Sequence, residues 1–268
     1  MGRADTAPSP ARAQIAVTDS SGPVAGATVR LSHEGDVSIV QTGADGMARA
    51  DALEPGGWAI SAAADGHEPG AATTRELRAG ETTKVDIKLA AGGRSLSGIV
   101  TDATGGPIGG ARIDAAKLDG SIQPSDAVAS TLTGPDGHYK LSVSEGQLLV
   151  AASEPSYAPQ SRYVEVGAAG GSADFQLVPG GVIEGIVRDA QSREPVAGAI
   201  VGAERDTPAM FGERSRHEAT TGKDGRFRLA GLRPGAYELD AKATGLASSA
   251  PTLVGLGVAE QVTDIEIL

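Results

Sequence analysis

Side chains that bind metals or carry out catalysis are few in this sequence, and their spacing matches no catalytic motif. The four histidines are His33, His67, His138 and His217, and there is no cysteine. The zinc motif H-E-x-x-H, the nucleophile motif G-x-S-x-G and the phosphate-binding motif that ends in Gly-Lys-Ser/Thr are all absent. We therefore expect no enzyme activity, no catalytic residue, and no metal or other cofactor. The histidines are interpreted as ordinary surface residues.

One segment has the composition of a partner contact. It reads GAERDTPAMFGERSRHEAT (residues 202–220) and places two apolar side chains among basic ones on an acidic chain. Loops of this kind often carry binding function. The alternative is a long hairpin whose Met and Phe cap the edge of the fold. The candidate contact residues are Met210, Phe211, Arg214, Arg216 and His217.

The charge of the chain limits its partners. The formal net charge is −11, from 34 acidic and 23 basic residues. This charge repels phosphate backbones, so nucleic acid is excluded as a partner. No apolar stretch approaches the roughly 18 residues of a membrane span. We expect a protein or carbohydrate partner and a monomer in isolation. Aromatic residues make up only 3% of the chain, which disfavours the carbohydrate.

The start of the chain, MGRADTAPSPARAQ, has no apolar signal-peptide core and predicts a flexible lead-in over residues 1–11. We interpret Met-Gly as a start added to a mature exported fragment; the alternative is N-myristoylation, because the start fits the pattern M-G-x-x-x-[ST].

Short sequence motifs repeat three times along the chain. The phrase TGxDG occurs as TGADG, TGPDG and TGKDG, beginning at Thr42, Thr133 and Thr221. The copies are about 90 residues apart, which exceeds the spacing of solenoid repeats and predicts a separate core for each unit. Each phrase is preceded by V-x-D, a turn and P-(V/I)-x-G-(A)-x-(V/I). It is followed by LEPGGW, VSEGQL or LRPGAY.

The pattern within each unit is that of β-strands. Apolar residues alternate with polar ones in KVDIKL (residues 84–89), ADFQL (173–177) and TDIEI (263–267), as in half-buried strands. We interpret TGxDG as a β-hairpin, because Asp-Gly tolerates the positive φ of tight turns. An acidic calcium loop is the alternative, although it needs several oxygen ligands. Trp58, Leu148 and Tyr237 are expected to face the core.

These ordered motifs resemble the carboxypeptidase regulatory-like domain in three tandem copies. The resemblance implies an all-β fold of three seven-stranded antiparallel, immunoglobulin-like (transthyretin-like) sandwiches, akin to the B repeats of bacterial adhesins. The predicted domains are residues 12–91, 92–179 and 180–268. The middle unit departs at Glu145-Gly146, which stands where the others have Pro-Gly.

The activities known near this fold lack their residues here. No histidine is followed three positions later by Glu, as a carboxypeptidase zinc site requires. The end, Glu266-Ile267-Leu268, differs from the Tyr-Arg-Gly-Ser of the hydroxyisourate hydrolases. With no Asn in the chain, a Lys–Asn isopeptide bond cannot form; a Lys–Asp bond stays open, although the first strands hold no Lys.

The resemblance implies a non-enzymatic structural or interaction segment of an exported or cell-surface bacterial protein: a stalk, spacer or assembly module, located outside the cell or in the periplasm. The alternative is a carbohydrate- or peptide-binding module that uses loops of the third repeat. The joints AAGGR and VPGG are short. They predict an elongated rod with a radius of gyration of about 28–30 Å, against about 18 Å for one globule of this length.

Overall fold

A computed structural model describes residues 9–33, 36–118, 127–206, 216–248 and 250–268. Within these ranges every regular element is a β-strand. Contacts divide the chain into two compact units, and each is treated by itself. The first unit is Met1–Ile99, Arg112–Val150 and Arg162–Asp174; the second is Val100–Ala111, Ala151–Ser161 and Phe175–Leu268.

The strands fall into three successive sets. The first repeat contains β1 (Ala11–Thr18), β2 (Thr28–His33), β3 (Asp36–Gln41), β4 (Met47–Leu53), β5 (Gly56–Ala63), β6 (His67–Glu68), β7 (Thr73–Leu77), β8 (Thr82–Lys88) and β9 (Ala90–Ala91). The second contains β10 (Arg94–Asp102), β11 (Arg112–Lys117), β12 (Ala129–Leu132), β13 (His138–Val143), β14 (Gly146–Ser153), β15 (Gln160–Val166), β16 (Gly171–Ser172) and β17 (Phe175–Leu177). The third contains β18 (Gly181–Val187), β19 (Ile200–Arg205), β20 (Arg216–Thr220), β21 (Arg226–Leu232), β22 (Gly235–Ala243), β23 (Leu246–Ala247), β24 (Thr252–Leu256) and β25 (Gln261–Ile267).

Each repeat forms two main sheets, and the first repeat has a further two-stranded sheet, β6-β9. In the first repeat the strand orders are β4-β1-β8 and β3-β2-β5-β7; in the third they are β21-β18-β25 and β20-β19-β22-β23, with β24 also on β22. Ile15 and Leu31, one from each sheet of the first repeat, are both fully buried in its apolar core. Burying a side chain of this size contributes about 1.5–3 kcal/mol. The predicted all-β sandwich architecture is confirmed.

The sheets are not purely antiparallel, which corrects one detail of the prediction. The first and last long strands of a repeat pair in parallel: β1 with β8, and β18 with β25. No short turn joins such a pair, so local turn signals carry no information about its direction. Parallel pairing places the start of the first strand and the end of the last one at opposite ends of the same repeat.

The interpretation of TGxDG as a hairpin is wrong. The turn at Thr42 joins β3 to β4, and these strands lie in different sheets. The Thr42 hydroxyl accepts a hydrogen bond from the Ala27 amide (2.8 Å) and donates one to the Val24 carbonyl (2.7 Å). The threonine thus ties the sheet-crossing turn to the P-(V/I)-x-G-A turn. Asp-Gly signals a reversal of the chain, but it cannot show whether the flanking strands pair with each other.

The third repeat holds its TGxDG turn in the same way. Thr221 accepts from the Ala199 amide (2.8 Å) and donates to the Val196 carbonyl (2.7 Å). A Cβ at Gly225 would overlap with Pro195, and this glycine has a φ of 73°. Glycine is therefore required here both for conformation and for space.

The aspartates of the V-x-D motif close the turn that follows them in every repeat. Asp102 accepts from the Thr104 hydroxyl (2.7 Å) and the Gly106 amide (2.9 Å), and both bonds lower its pKa. Asp189 accepts from the amides of Ser192 (2.7 Å) and Gln191 (2.9 Å), which lower its pKa in the same way. These carboxylates act in turns, where aspartate is favoured for this bonding.

The large residues after the L-x-P-G turn face the core, as predicted. Trp58 is 3% exposed, Leu148 0% and Tyr237 1%. Trp58 Nε1 donates to the Glu54 carbonyl (2.9 Å), so its polar end is satisfied. In the middle repeat β13 ends and β14 begins across Ser144–Glu145, so Glu-Gly supports the same turn as Pro-Gly.

Candidate functional site

Three of the five predicted contact residues, Met210, Phe211 and Arg214, lie outside the described residues, so their role stays a prediction. Arg216 and His217 begin β20 in the third repeat. His217 lies opposite Ala203 in the register of β19 and β20.

Arg216 is held within its own sheet. Its Nε lies 3.0 Å from Oε1 of Glu218, and its Nη2 contacts Oδ1 of Asp240. Burial alone would lower the pKa of Arg216, but the hydrogen bonds to Asp240 and Glu218 raise it above the usual value. The guanidinium lies over Gly202, where a Cβ would overlap with it. Its charge is thus balanced by two carboxylates of the same repeat.

A second set of polar side chains surrounds the segment that leads from the first repeat to the second. We name this region joint 1; it consists of residues 65–68, 90–93 and 140–144. Strand β6 pairs with β9, with His67 opposite Ala91 and Glu68 opposite Ala90. The Gly92 amide also donates to the Gly66 carbonyl (3.0 Å). The backbone of the connection is therefore paired with the first repeat.

Strand β13 of the second repeat and the residue after it contact the hairpin of joint 1 formed by residues 65–68. Lys140 Nζ lies 2.6 Å from Oδ2 of Asp65, and the Ser142 hydroxyl donates to the His67 carbonyl (2.9 Å). The Ser144 hydroxyl donates to the Glu68 carboxylate. Residues 65–68 thus bind both the connection and the strand beyond it.

His67 itself is bonded through both ring nitrogens. Nε2 lies 2.9 Å from Oδ2 of Asp19, and Nδ1 lies 2.9 Å from the carbonyl oxygen of Asp65. Both partners are acceptors, so only the doubly protonated ring can donate to both. The bond to Asp19 and then that to Asp65 raise the pKa of His67, and the His67 bond lowers the pKa of Asp19. Interpreting all histidines as ordinary surface residues was wrong for His67, whose side chain is only 18% exposed.

A buried charge cluster lies farther along the first unit. Asp114 on β11 is 3% exposed. It accepts from Arg112 Nε (2.8 Å) and from the Ser130 hydroxyl, and Arg30 Nε on β2 lies 3.7 Å from its Oδ1. Arg30 belongs to the first repeat and Asp114 to the second, so an ion pair connects them. Sequence reasoning missed it because no motif surrounds Asp114.

The second unit contains joint 2, which consists of residues 154–159, 178–181 and 231–233. Tyr157 pairs with Pro179, the Ala158 amide donates to the Val178 carbonyl (3.0 Å), and the Gly180 amide donates to the Ser156 carbonyl (2.9 Å). Arg233 of the third repeat donates to the Pro159 carbonyl (Nε, 2.9 Å). This arrangement matches joint 1 in register.

Glycines allow the close approach in both joints. A Cβ at Gly93 would overlap with the His67 carbonyl, and a Cβ at Gly180 would overlap with the backbone of Gly231. The Gly-Gly that follows the last strand of the first repeat and of the second was the sequence signal that could have revealed the joints.

No group of three or more His, Cys, Asp or Glu side chains suited to a metal occurs among the described residues. In the same part of the chain, no helix is long and apolar enough to cross a membrane.

The family model of the carboxypeptidase regulatory-like domain matches residues 14–90, 95–178 and 182–267. The chain belongs to this family. Its three carboxypeptidase regulatory-like domains follow one another in tandem and account for nearly all of the sequence.

Comparison with solved structures finds neighbours of low sequence identity. The Bacillus anthracis TIE protein is 15% identical (TM-score 0.30), with 97% of this chain and 51% of that chain covered. A streptococcal ancillary pilin is 14% identical (TM-score 0.35), with 96% of this chain and 98% of that chain covered. BcpA, the major pilin subunit of Bacillus cereus, is 13% identical (TM-score 0.27), with 96% of this chain and 99% of that chain covered. The chain spans about half the length of the TIE protein. No curated protein matches it.

Proposed function

We propose that this chain is a non-enzymatic spacer or assembly segment of an exported or cell-surface bacterial protein. The observation that supports the proposal is the recurrence of one joint. In both joints a hairpin of one domain pairs with the following connection and binds the next domain. A segment whose function is to hold flanking parts in place requires connections of this kind.

The joints differ from ordinary flexible linkers. A glycine-containing connection of a few residues behaves as a flexible coil when its backbone is unpaired. Here the amides of Gly92 and Gly180 both donate to the preceding domain. Ordering such a connection costs about 1–2 kcal/mol per residue in conformational entropy, and the hydrogen bonds and packing of the joints offset that cost.

The chemistry-bearing residues support the same function. Asp19 and His67 bond to each other, Asp114 is buried against two arginines, and Arg216 pairs with two carboxylates. Each of these groups is used to hold strands or domains together.

Pulsed electron paramagnetic resonance tests the proposal directly. The chain has no cysteine, so pairs of introduced cysteines provide the only labelling sites. Glu76→Cys with Glu165→Cys reports on joint 1, and Ala103→Cys with Lys223→Cys reports on joint 2; all four positions are exposed. A spacer requires one narrow distance distribution for each pair.

Glycine variants provide the matched comparison. Gly93→Ala and Gly180→Ala place a Cβ against backbone atoms, whereas a Cβ at Gly255 meets nothing within 4 Å. We expect Gly93→Ala to broaden the first distribution, Gly180→Ala the second, and Gly255→Ala neither. Broad distributions in the parent protein would contradict the proposal. Protease accessibility of the native protein on intact cells tests the surface location.

A further inference from the structure

The first and last long strands of each repeat pair in parallel, and we name this pairing the terminal ladder of the repeat. In the first repeat, Arg12–Thr18 lies opposite Thr82–Lys88 without a register shift. The pairing continues past the end of the last strand, where the Leu89 amide donates to the Thr18 carbonyl (2.8 Å). The terminal ladder of the first repeat is therefore continuous from one end of the repeat to the other.

The parallel direction of this ladder determines how the repeat responds to tension along the chain. Force that enters before β1 and leaves after β8 pulls the two strands past each other in opposite directions. The hydrogen bonds between the strands lie across this pull, so they share the load and must break together. Ile15 and Val85 lie opposite each other in the ladder and are both buried in the core. The same movement therefore disrupts apolar packing as well.

The terminal ladders of the other two repeats are less regular. In the third repeat, β18 pairs with β25 with a register shift between Ile183 and Gly185. In the second repeat the ladder is divided, because Leu96 and Ser97 pair with β16, whereas Val100–Asp102 pairs with β17. An interrupted ladder shares the load among fewer adjacent bonds. The three repeats should therefore differ in the force that they withstand.

We propose that the terminal ladder is a load-bearing clamp that keeps each repeat folded under tension along the chain. The continuous ladder of the first repeat resists the largest force, and the divided ladder of the second repeat resists the smallest. The second repeat thus unfolds first and lengthens the segment while the other two stay folded. This inference rests on the proposed spacer function, because a segment transmits tension only when it connects flanking parts.

Optical tweezers on the full chain, with handles attached to introduced cysteines, compare two directions of pull on the first repeat. Ser9→Cys with Ala90→Cys loads the ladder along its strands. Ser9→Cys with Ala79→Cys places both handles where the two strands begin, so the ladder is peeled apart one bond at a time. All three positions are exposed, and the chain has no cysteine of its own. At one loading rate, the unfolding force should be at least about twofold higher along the strands, because forced unfolding depends on the barrier to breaking the loaded bonds.

Equal melting temperatures of the two double variants show that the first repeat is equally folded in both. Equal unfolding forces in the two directions would overturn the clamp. They would do so even where the joints give narrow distance distributions, so the clamp and the spacer function fail separately.

Pulling the whole chain between Ser9→Cys and Leu268→Cys tests the order of unfolding. The strongest step should match the force measured for the first repeat alone. Asp174→Ala identifies the second repeat, because the Asp174 carboxylate accepts from the Ile99 amide (3.0 Å) between the two parts of the divided ladder. It should lower the force of the weakest step, whereas Asp86→Ala, at an exposed position of β8, should change none. The proposed order is overturned if Asp174→Ala lowers a stronger step instead.

Discussion

Asp19 and His67 stand 48 positions apart in the sequence, and Oδ2 of the first lies 2.9 Å from Nε2 of the second. The bond fixes the side chain of His67 while its main chain accepts from Ser142. The ionisation of one imidazole is thereby linked to the connection between the first two domains.

Joint 1 should weaken as the pH rises. The pKa of His67 is raised in the folded protein. Its stabilising contribution is therefore complete below its pKa in the unfolded chain, about 6.5, and is lost as the pH rises through its pKa in the folded protein. The pKa of Asp19 is lowered in the folded protein. Its stabilising contribution is therefore present above its pKa in the unfolded chain, about 3.8, and is lost as the pH falls through its pKa in the folded protein. Charged neighbours are Asp65, Lys140 and Glu68. Hydrogen exchange of the Gly92 amide should therefore be slowest, after correction for intrinsic rates, between about pH 4 and 6.5.

His67→Gln should remove this pH dependence of Gly92 exchange. His138→Gln is the matched control, because His138 lies on the exposed side of β13. Equal pH dependence in the parent and His67→Gln proteins would show that another group is responsible.

Asp114→Ala should destabilise the first unit by about 3–5 kcal/mol, because it leaves Arg112 and Arg30 facing a site without the carboxylate. Urea unfolding measures the change. Asp51→Ala is the control, since Asp51 is exposed and its oxygen lies 3.8 Å from Arg12 Nε; its effect should stay within about 1 kcal/mol. An effect of Asp114→Ala no larger than that of the control would contradict the importance of this cluster.

Thr221→Val should cost about 1–3 kcal/mol, because it leaves the buried Ala199 amide without its acceptor. The neighbouring Thr220 is exposed, so Thr220→Val should change the free energy of unfolding by no more than about 0.5 kcal/mol. Thermal or urea denaturation of the two variants compares them. Similar stabilities would mean that the hydroxyl of TGxDG does not hold the two turns together.

If residues 202–220 form a contact site, replacing Met210, Phe211 and Arg214 by Ala or Ser should abolish partner binding with little change in melting temperature. Affinity capture followed by titration with the captured partner measures the binding. A fall of many degrees without any partner would favour the alternative, in which Phe211 belongs to the core.

The purified protein should contain no stoichiometric metal. The sequence lacks the usual zinc motifs, and its TGxDG phrases carry too few acidic side chains for a calcium loop. Elemental analysis should find less than one zinc or calcium per chain, and a chelator should leave the melting temperature unchanged. A bound metal whose removal lowers that temperature would refute this expectation.

The repeat, the all-β class and the family follow from the amino-acid sequence alone. Local rules suffice for these features. The alternation of apolar Val85, Ile87 and Leu89 with polar residues indicates a half-buried strand, and Asp-Gly indicates a reversal of the chain direction. The burial of Trp58 and Tyr237 was also predictable from their place after the L-x-P-G turn. The domain bounds and the elongated order of the domains stay predictions.

The contacts between segments that are distant in the sequence could not be predicted and were found in the three-dimensional structure. The sheets that TGxDG connects, the parallel pairing of β1 with β8, the Asp19–His67 bond and the burial of Asp114 all depend on residues far apart in the chain. Local sequence fixes the backbone conformation and the buried face of a strand, but not the identity of its neighbour.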